Sequence, residues 1–400
     1  MTDGTRVLMI SGEYPPMEGG VADFTSIVGQ RLVERGAEVH VLTSRDASGH
    51  ADDHGPIFVH AEMDDWGFKP LYGRLRELVA DVRPDIINIQ YQTAAYGMHP
   101  AINLLPRFSP QIPIVVTFHD LRVPYLLPKA VRLRRWVNVD LARMSDAVIV
   151  TNAQDRAELQ QVQGIKRLET IPIGSNISYH LPEGYDRAVW RGQWGVDQNT
   201  TLLCFFGFLN DSKGAVEIIQ ALQVLRAGGI QASLMMIGGA VSSSNASNQP
   251  YYDLVLQTIA DLGLEDDVFW TGYVPNVEVS AAFKSADICV LPFEDGASFR
   301  RGSLMAALTH GVAIISTHPQ VPVPEIVDRE NMLLVPPQDV DALARAVREI
   351  VADRALRGRL EAGSEQLSQL FGWDGIADRT LALYEQVIAG RRSGRNAPRA

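Results

Sequence analysis

Cysteine is almost missing: 400 residues hold only Cys204 and Cys289. Both sit inside apolar, strand-like runs. With neither a CxxC pair nor Cys/His metal spacing, a disulfide framework and a zinc site are excluded, and buried thiols in a reducing compartment are expected. No apolar run approaches the ~20 residues needed to cross a bilayer. No basic segment followed by a continuous apolar core opens the chain, so no secretory leader is visible and the cytoplasm is the expected location. Positive charge is also short. Lys and Arg total 36 against 47 Asp and Glu, a net −11, which argues against nucleic acid as a general partner. The GxGxxG dinucleotide fingerprint is absent, and no fixed-period repeat appears.

What is present is β/α alternation, twice over. Four hundred residues are too many for one ordinary core, so two domains are the prior. Arg6 to Ile10 reads as a buried strand, followed by a loop with two prolines and Gly19-Gly20. A helix then carries Phe24, Ile27, Val28 and Leu32 at helical spacing, and Val39 to Thr43 is the next strand. Strands at 85–89, 112–118, 147–151 and 168–173 alternate with helices at 71–82, 129–144 and 153–163. Residues 180–199 read as a connection, after which the alternation restarts at Thr201. It runs through helices at 215–227, 252–262 and 277–285 to Asp339–Ala352, Arg354–Phe371 and Gly375–Ala389. This predicts an α/β chain of two doubly wound parallel sheets facing a central cleft, with ligands outside the carboxyl ends of the strands.

The stretch Leu291 to Gly311, LPFEDGASFRRGSLMAALTHG, carries the most chemistry. It reads as a strand, a polar turn, then a helix opening at Ser303. The first turn of a helix offers free N–H groups and a positive dipole end, both suited to an anion. Arg300 and Arg301 at that start can each add forked bonds to phosphate oxygens, with Ser298, Gly302 and Ser303 beside them. Two arginines on a turn can equally be a solvated face. Gly19 and Gly20 let backbone approach a ligand, or simply make a turn. Gln92, His119 and Asn176 also fall at strand ends. His119, after Thr117-Phe118, is the best N-terminal candidate for chemistry, or a histidine capping a strand end.

Taken together, these residues resemble glycosyltransferase family 4. The resemblance rests on Tyr14-Pro15-Pro16 with Gly19-Gly20, Val115 to Asp120 (VVTFHD), and Ile171 to Asn176 (IPIGSN). It continues through Phe205-Phe206-Gly207 with Lys213-Gly214, then Gly272-Tyr273-Val274, Leu291-Pro292-Phe293 and Gly311. Glu325 with Asn331 to Pro336 completes it. Order and spacing together make it specific. It implies the GT-B fold and retaining sugar transfer from a nucleotide sugar, with no metal or other cofactor. It also implies an acceptor domain over 1–178, a nucleotide-sugar domain over 179–372 and a last helix, 373–390, crossing back to the first domain near Trp373. The basic tail 391–400 reads as disordered.

By the same resemblance Gly19 and Gly20 approach the donor sugar and its phosphates, and His119 contacts the sugar. Lys213 binds the diphosphate, with Gly207 in the same loop, and Tyr273 and Val274 lie near the base. The catalytic set is then His119, Lys213 and Arg300. Three positions depart from the family pattern: Phe208 stands where an arginine is usual, and Ser298 and Ala306 where two glutamates are usual. Arg300 and Arg301 are expected to replace the lost cation. A binding protein without turnover on the same fold, or less favourably a nucleotide-sugar epimerase, stays open. The expected partners are a nucleotide-sugar donor and a glycan, lipid-linked or small acceptor. Finally, 126–137 mixes Lys129, Arg132, Arg134 and Arg135 with Leu133 and Trp136, suiting either peripheral contact with the inner membrane face or an ordinary helix with a charged outer side.

Overall fold

A computed structural model describes residues 4–17, 19–48, 56–109, 111–121, 131–239 and 248–396, apart from the side chains of 131–134 and 394–396. The chain divides into two compact units, Met1–Gly174 with Gly372–Ala400, and Ser175–Phe371.

In the first unit the order is β1 (Arg6–Ser11), α1 (Gly20–Glu34), β2 (Glu38–Ser44), β3 (Phe58–Met63), α2 (Phe68–Val82) and β4 (Ile86–Tyr91). Then come α3 (Leu105–Phe108), β5 (Ile114–Phe118), α4 (Val131–Met144), β6 (Ala147–Val150), α5 (Ala153–Leu159) and β7 (Leu168–Thr170). Among the described residues these strands form a parallel seven-stranded sheet ordered β3-β2-β1-β4-β5-β6-β7. The order reverses direction between β1 and β4, and ligands of such sheets collect outside the carboxyl ends at that point. β1, β4, β5 and β6 are buried on both faces, which is why they read as continuous apolar runs.

In the second unit α6 (Arg187–Gln193) leads into β8 (Thr201–Phe206), α7 (Ala215–Ala227), β9 (Ala232–Ile237), α8 (Gln249–Leu262) and β10 (Val268–Gly272). They are followed by α9 (Asn276–Ser285), β11 (Ile288–Leu291), α10 (Gly302–Thr309), β12 (Ala313–Thr317), β13 (Leu333–Val335), α11 (Val340–Ala352) and α12 (Arg354–Ser368). The sheet order is β10-β9-β8-β11-β12-β13, again parallel, with its reversal between β8 and β11. The carboxylate of Asp287, ahead of β11, pairs with Arg187, Arg191 and Arg357 and accepts from the Leu202 N–H. Buried Arg191 is thereby compensated, as a buried charge must be.

The last helix, α13 (Trp373–Asn396), belongs to the first unit. Its Asp374 and Asp378 accept from Arg35 at the end of α1. Several features differ from the sequence expectation. β3 was not foreseen, because FVHAEM is a half-exposed edge strand carrying His60 and Glu62. α6 occupies the stretch read as connection, started by the Asp186 carboxylate accepting from the Val189 N–H at 2.8 Å. β7 ends at Thr170 instead of 173. The basic tail read as disordered from 391 is helical to Asn396, because Arg391 forks onto Asp146 (2.8 and 2.9 Å) and Arg392 reaches Asp85 at 3.0 Å. Residues 397–400, and 126–130 of the basic segment, lie outside the described residues.

Candidate active site

The second unit places Lys213 in the loop at its sheet reversal. Gly207 directly follows β8 and Pro292 directly follows β11. The chain between Gly207 and α7 arches over this point, with Gly207 at φ 111° and Gly214 at φ 69°, both conformations that favour glycine. A Cβ on Gly214 would stand 2.2 Å from the Pro292 carbonyl, and one on Gly207 would stand 2.8 Å from the Lys213 ammonium. Lys213 Nζ therefore lies directly over Gly207, and Ser303, in the first turn of α10, approaches the same glycine. Among the described residues that ammonium has neither a carboxylate nor a hydrogen-bond partner. Burial, with Arg301 nearby, pushes its pKa down to about 8.

Arg301 caps α10 and is half-buried. Its guanidinium pairs with Asp295, donates to Ser212 Oγ at 3.2 Å and stacks over the Phe293 ring at 4.8 Å. Its charge is thus already shared with a carboxylate. The helix starts one residue earlier than expected, at Gly302, which is exposed, while Ser303 is buried. Ser298 serves the turn itself: its Oγ accepts from the Arg300 N–H at 3.4 Å and its carbonyl accepts from the Arg301 N–H at 3.0 Å. Arg300 is half-buried on that turn. Tyr273 is 87% exposed beyond β10, and Val274 packs partly on the core. Ala306 lies fully buried in α10. So Gly207, Lys213, Arg301 and Ser303 come together, whereas Tyr273 stands out in solvent.

In the first unit, Gly19 caps α1 in extended conformation, and a Cβ there would lie 2.5 Å from Glu13 Oε2. The close-approach space over Gly19 is therefore used by this chain's own carboxylate. Gly20 is open. Burial raises the Glu13 pKa, and among the described residues no donor or cation meets its side chain. Sequence reasoning passed over Glu13 because an acidic residue in a Pro/Gly loop carries no periodic signal.

His119 continues the β5 ladder, its N–H donating to the Tyr91 carbonyl at 3.1 Å. It is 8% exposed, packs edge-on against Phe24 at 4.9 Å, and its Nε2 meets Gln90 Oε1 at 2.8 Å. Burial lowers its pKa to about 4, so the ring is neutral at pH 7. Among the described residues its Nδ1 is buried with no partner. Gln90 itself was not singled out from the sequence, where it looks like one polar residue in a strand. No group of three or more His, Cys, Asp or Glu among the described residues is arranged to hold a metal ion.

Residues 186–366 match the model of glycosyl transferases group 1, and 18–179 that of glycosyltransferase family 4. The chain is 24% identical over 392 residues to a GDP-mannose-dependent alpha-(1-6)-phosphatidylinositol monomannoside mannosyltransferase of Mycobacterium tuberculosis, covering 93% of this chain and 96% of that protein. It is 24% identical over 433 residues to a D-inositol 3-phosphate glycosyltransferase of Xylanimonas cellulosilytica, covering 98% and 99%. Among solved structures, sucrose-phosphate synthase from Thermosynechococcus elongatus superposes with a TM-score of 0.73 at 21% identity, covering 96% of this chain and all of that one. HepE from Anabaena, in complex with UDP, gives 0.74 at 20% identity with the same coverage. Two parallel-sheet units of this topology, so matched, define a nucleotide-sugar glycosyltransferase with the GT-B fold. The chain belongs to glycosyltransferase family 4.

Proposed function

We propose that this protein transfers a sugar, with retention of anomeric configuration, from a nucleoside diphosphate sugar to a polyhydroxylated acceptor. The observation that carries the reading is Lys213: a desolvated ammonium that meets no carboxylate among the described residues, over Gly207 at the sheet reversal and beside a helix start. Leaving a buried cation uncompensated is costly unless an anion meets it. In the proposed reaction the bond between the anomeric carbon and the phosphate oxygen breaks, and the acceptor oxygen bonds the same face of that carbon. The acceptor's proton passes to the departing phosphate oxygen. Charge growing on the diphosphate is then what the protein must stabilise, and Lys213, Arg300, Arg301 and the first N–H groups of α10 are assigned that role.

For the acceptor, a cavity of about 300 Å³ opens at the carboxyl ends of β1, β2 and β3. Its walls include Glu13, Asp46, Asp64 and Trp66, and Arg45, the arginine among its described lining residues, already forks onto Asp64. This lining supports a hydroxyl-rich acceptor without a phosphate of its own, in contrast to what the name of the inositol 3-phosphate relative states. Glycan, glycolipid and small-glycoside acceptors all satisfy it.

Isothermal titration with UDP, GDP and ADP, followed by assay of the matching sugars for release of nucleoside diphosphate, tests the reading. Binding of one diphosphate with slow hydrolysis of its sugar is expected. Binding without turnover of any donor favours the second reading, a non-catalytic sugar-nucleotide-binding protein, which the buried Ala306 supports by offering no carboxylate. Peripheral contact through 126–137 belongs to the same proposal. Trp136 is 54% exposed, whereas Arg135 is engaged by Glu158 at 3.1 Å. Binding to anionic liposomes should weaken in Arg134→Glu/Arg135→Glu, and unchanged partitioning refutes the contact.

A further inference from the structure

The ring proton of His119 is placed by a chain of buried amides that ends on a backbone carbonyl. Asn88 and Gln90 are alternate residues of β4 and so share one face of the sheet, next to Thr117 of β5. Asn88 is 0%, Gln90 1% and Thr117 1% exposed. The Asn88 amide nitrogen donates to the Val115 carbonyl at 3.2 Å and to Thr117 Oγ1 at 3.1 Å. A carbonyl oxygen can only accept, so this contact fixes which end of the Asn88 amide faces which way. Asn88 Oδ1 is then turned to Gln90, whose Nε2 must donate to it. Gln90 Oε1 is left facing His119, and an oxygen there requires a proton on His119 Nε2. Nδ1 consequently carries the lone pair. It is buried, and no group among the described residues meets it.

We propose that Asn88 and Gln90 are positioning residues that hold His119 in the Nε2–H tautomer, making Nδ1 an obligatory acceptor that reads a ligand hydroxyl and turns away an anionic phosphate oxygen. This rests on the sugar-transfer reading above, which makes that hydroxyl one on the donor or acceptor sugar. Two lone pairs repel, so a phosphate oxygen finds no partner at Nδ1, whereas a hydroxyl donates to it and satisfies the orphan. The lowered pKa of His119 agrees, since a neutral ring cannot attract the diphosphate by charge.

The test is nitrogen-15 NMR of histidine-labelled protein at pH 7, with His119→Gln identifying the resonance among nine histidines. Wild type should show a neutral ring protonated at Nε2. An Nδ1–H tautomer or an imidazolium in wild type overturns the proposal without any variant having to fold. Asn88→Leu, which does not touch His119, should let the Gln90 amide turn over and move the proton to Nδ1. Turnover of the donor should then fall at least tenfold while nucleoside diphosphate affinity stays unchanged. A folded Asn88→Leu protein with the wild-type tautomer overturns the relay. If the tautomer moves as expected but no nucleotide sugar is ever consumed, the sugar-transfer reading fails and the hydroxyl assignment built on it is overturned with it, while the placement of the ring proton stands.

Discussion

Replacing Lys213 by methionine keeps the length of the side chain and removes a charge held out of water. The folded protein lowers the pKa of this ammonium from 10.5 to about 8, first by burial and then through Arg301. A drop of that size amounts to about 3 kcal/mol against the charged form. At pH 7 the folded chain carries that cost in full, so Lys213→Met should stabilise the unliganded protein by up to about 3 kcal/mol, raising the melting temperature by several degrees. Between pH 8 and 10.5 the unfolded state binds more protons than the folded one. Wild-type stability should therefore rise with pH across that window from this group, and the variant should lack the rise. Nucleoside diphosphate binding moves the opposite way. A charge-assisted bond is worth about 1.5–3 kcal/mol, so the variant should bind about 10- to 150-fold more weakly. Wild-type affinity should decline above pH 8 as the lysine loses its proton. Calorimetric melting with and without diphosphate, at pH 7 and pH 9.5, reads all of these together. A variant with unchanged melting temperature and unchanged affinity refutes the idea that Lys213 is strained in wait for an anion.

Other consequences are open to test. Gly207→Ala should cost about 1–2 kcal/mol from its positive φ and weaken diphosphate binding by about tenfold, because the new methyl displaces the Lys213 ammonium; equilibrium unfolding and titration measure both. Asp295→Asn should release Arg301 and tighten diphosphate binding, and unchanged affinity would mean the guanidinium serves only the turn. His119→Ala should lower turnover while sparing nucleotide affinity, and the wild-type rate should show no ionisation of this ring between pH 5 and 8, since its pKa lies near 4. At Asp146, burial pushes the pKa up, but Arg391, the Ile114 N–H and Lys166 outweigh it and hold it below 3.8. Its stabilising share is present above that value and lost as pH falls through the lower folded pKa. Arg391→Ala should thus cost about 1 kcal/mol at pH 7 and less in acid, as followed by urea unfolding.

The β/α alternation could be read because parallel strands buried on both faces are continuous apolar runs, and those survive any tertiary detail. β3 escaped because an edge strand needs to bury only one side: His60 is half-buried and Glu62 exposed, which breaks the apolar run. α6 escaped because its start depends on one capping aspartate, Asp186, and its 7 residues are too few to show a period. In the candidate site, Lys213 and Gly207 entered only through the family resemblance, whereas Ser303 was legible from a helix start. The pairing of Arg301 with Asp295 was not, since a turn's side-chain directions follow from φ and ψ and not from composition. The same holds for Gln90 and Asn88: buried amides look like surface polar residues until a partner strand brings Val115 and Thr117 alongside.

The most direct measurement is proton NMR of the anomeric centre while each of a panel of α-linked UDP-, GDP- and ADP-sugars is consumed. Sugar transfer with retention predicts that one donor loses its nucleoside diphosphate and that the first-formed product carries the sugar in the α configuration. A β product, or no consumption of any donor by protein that binds the diphosphate, contradicts it.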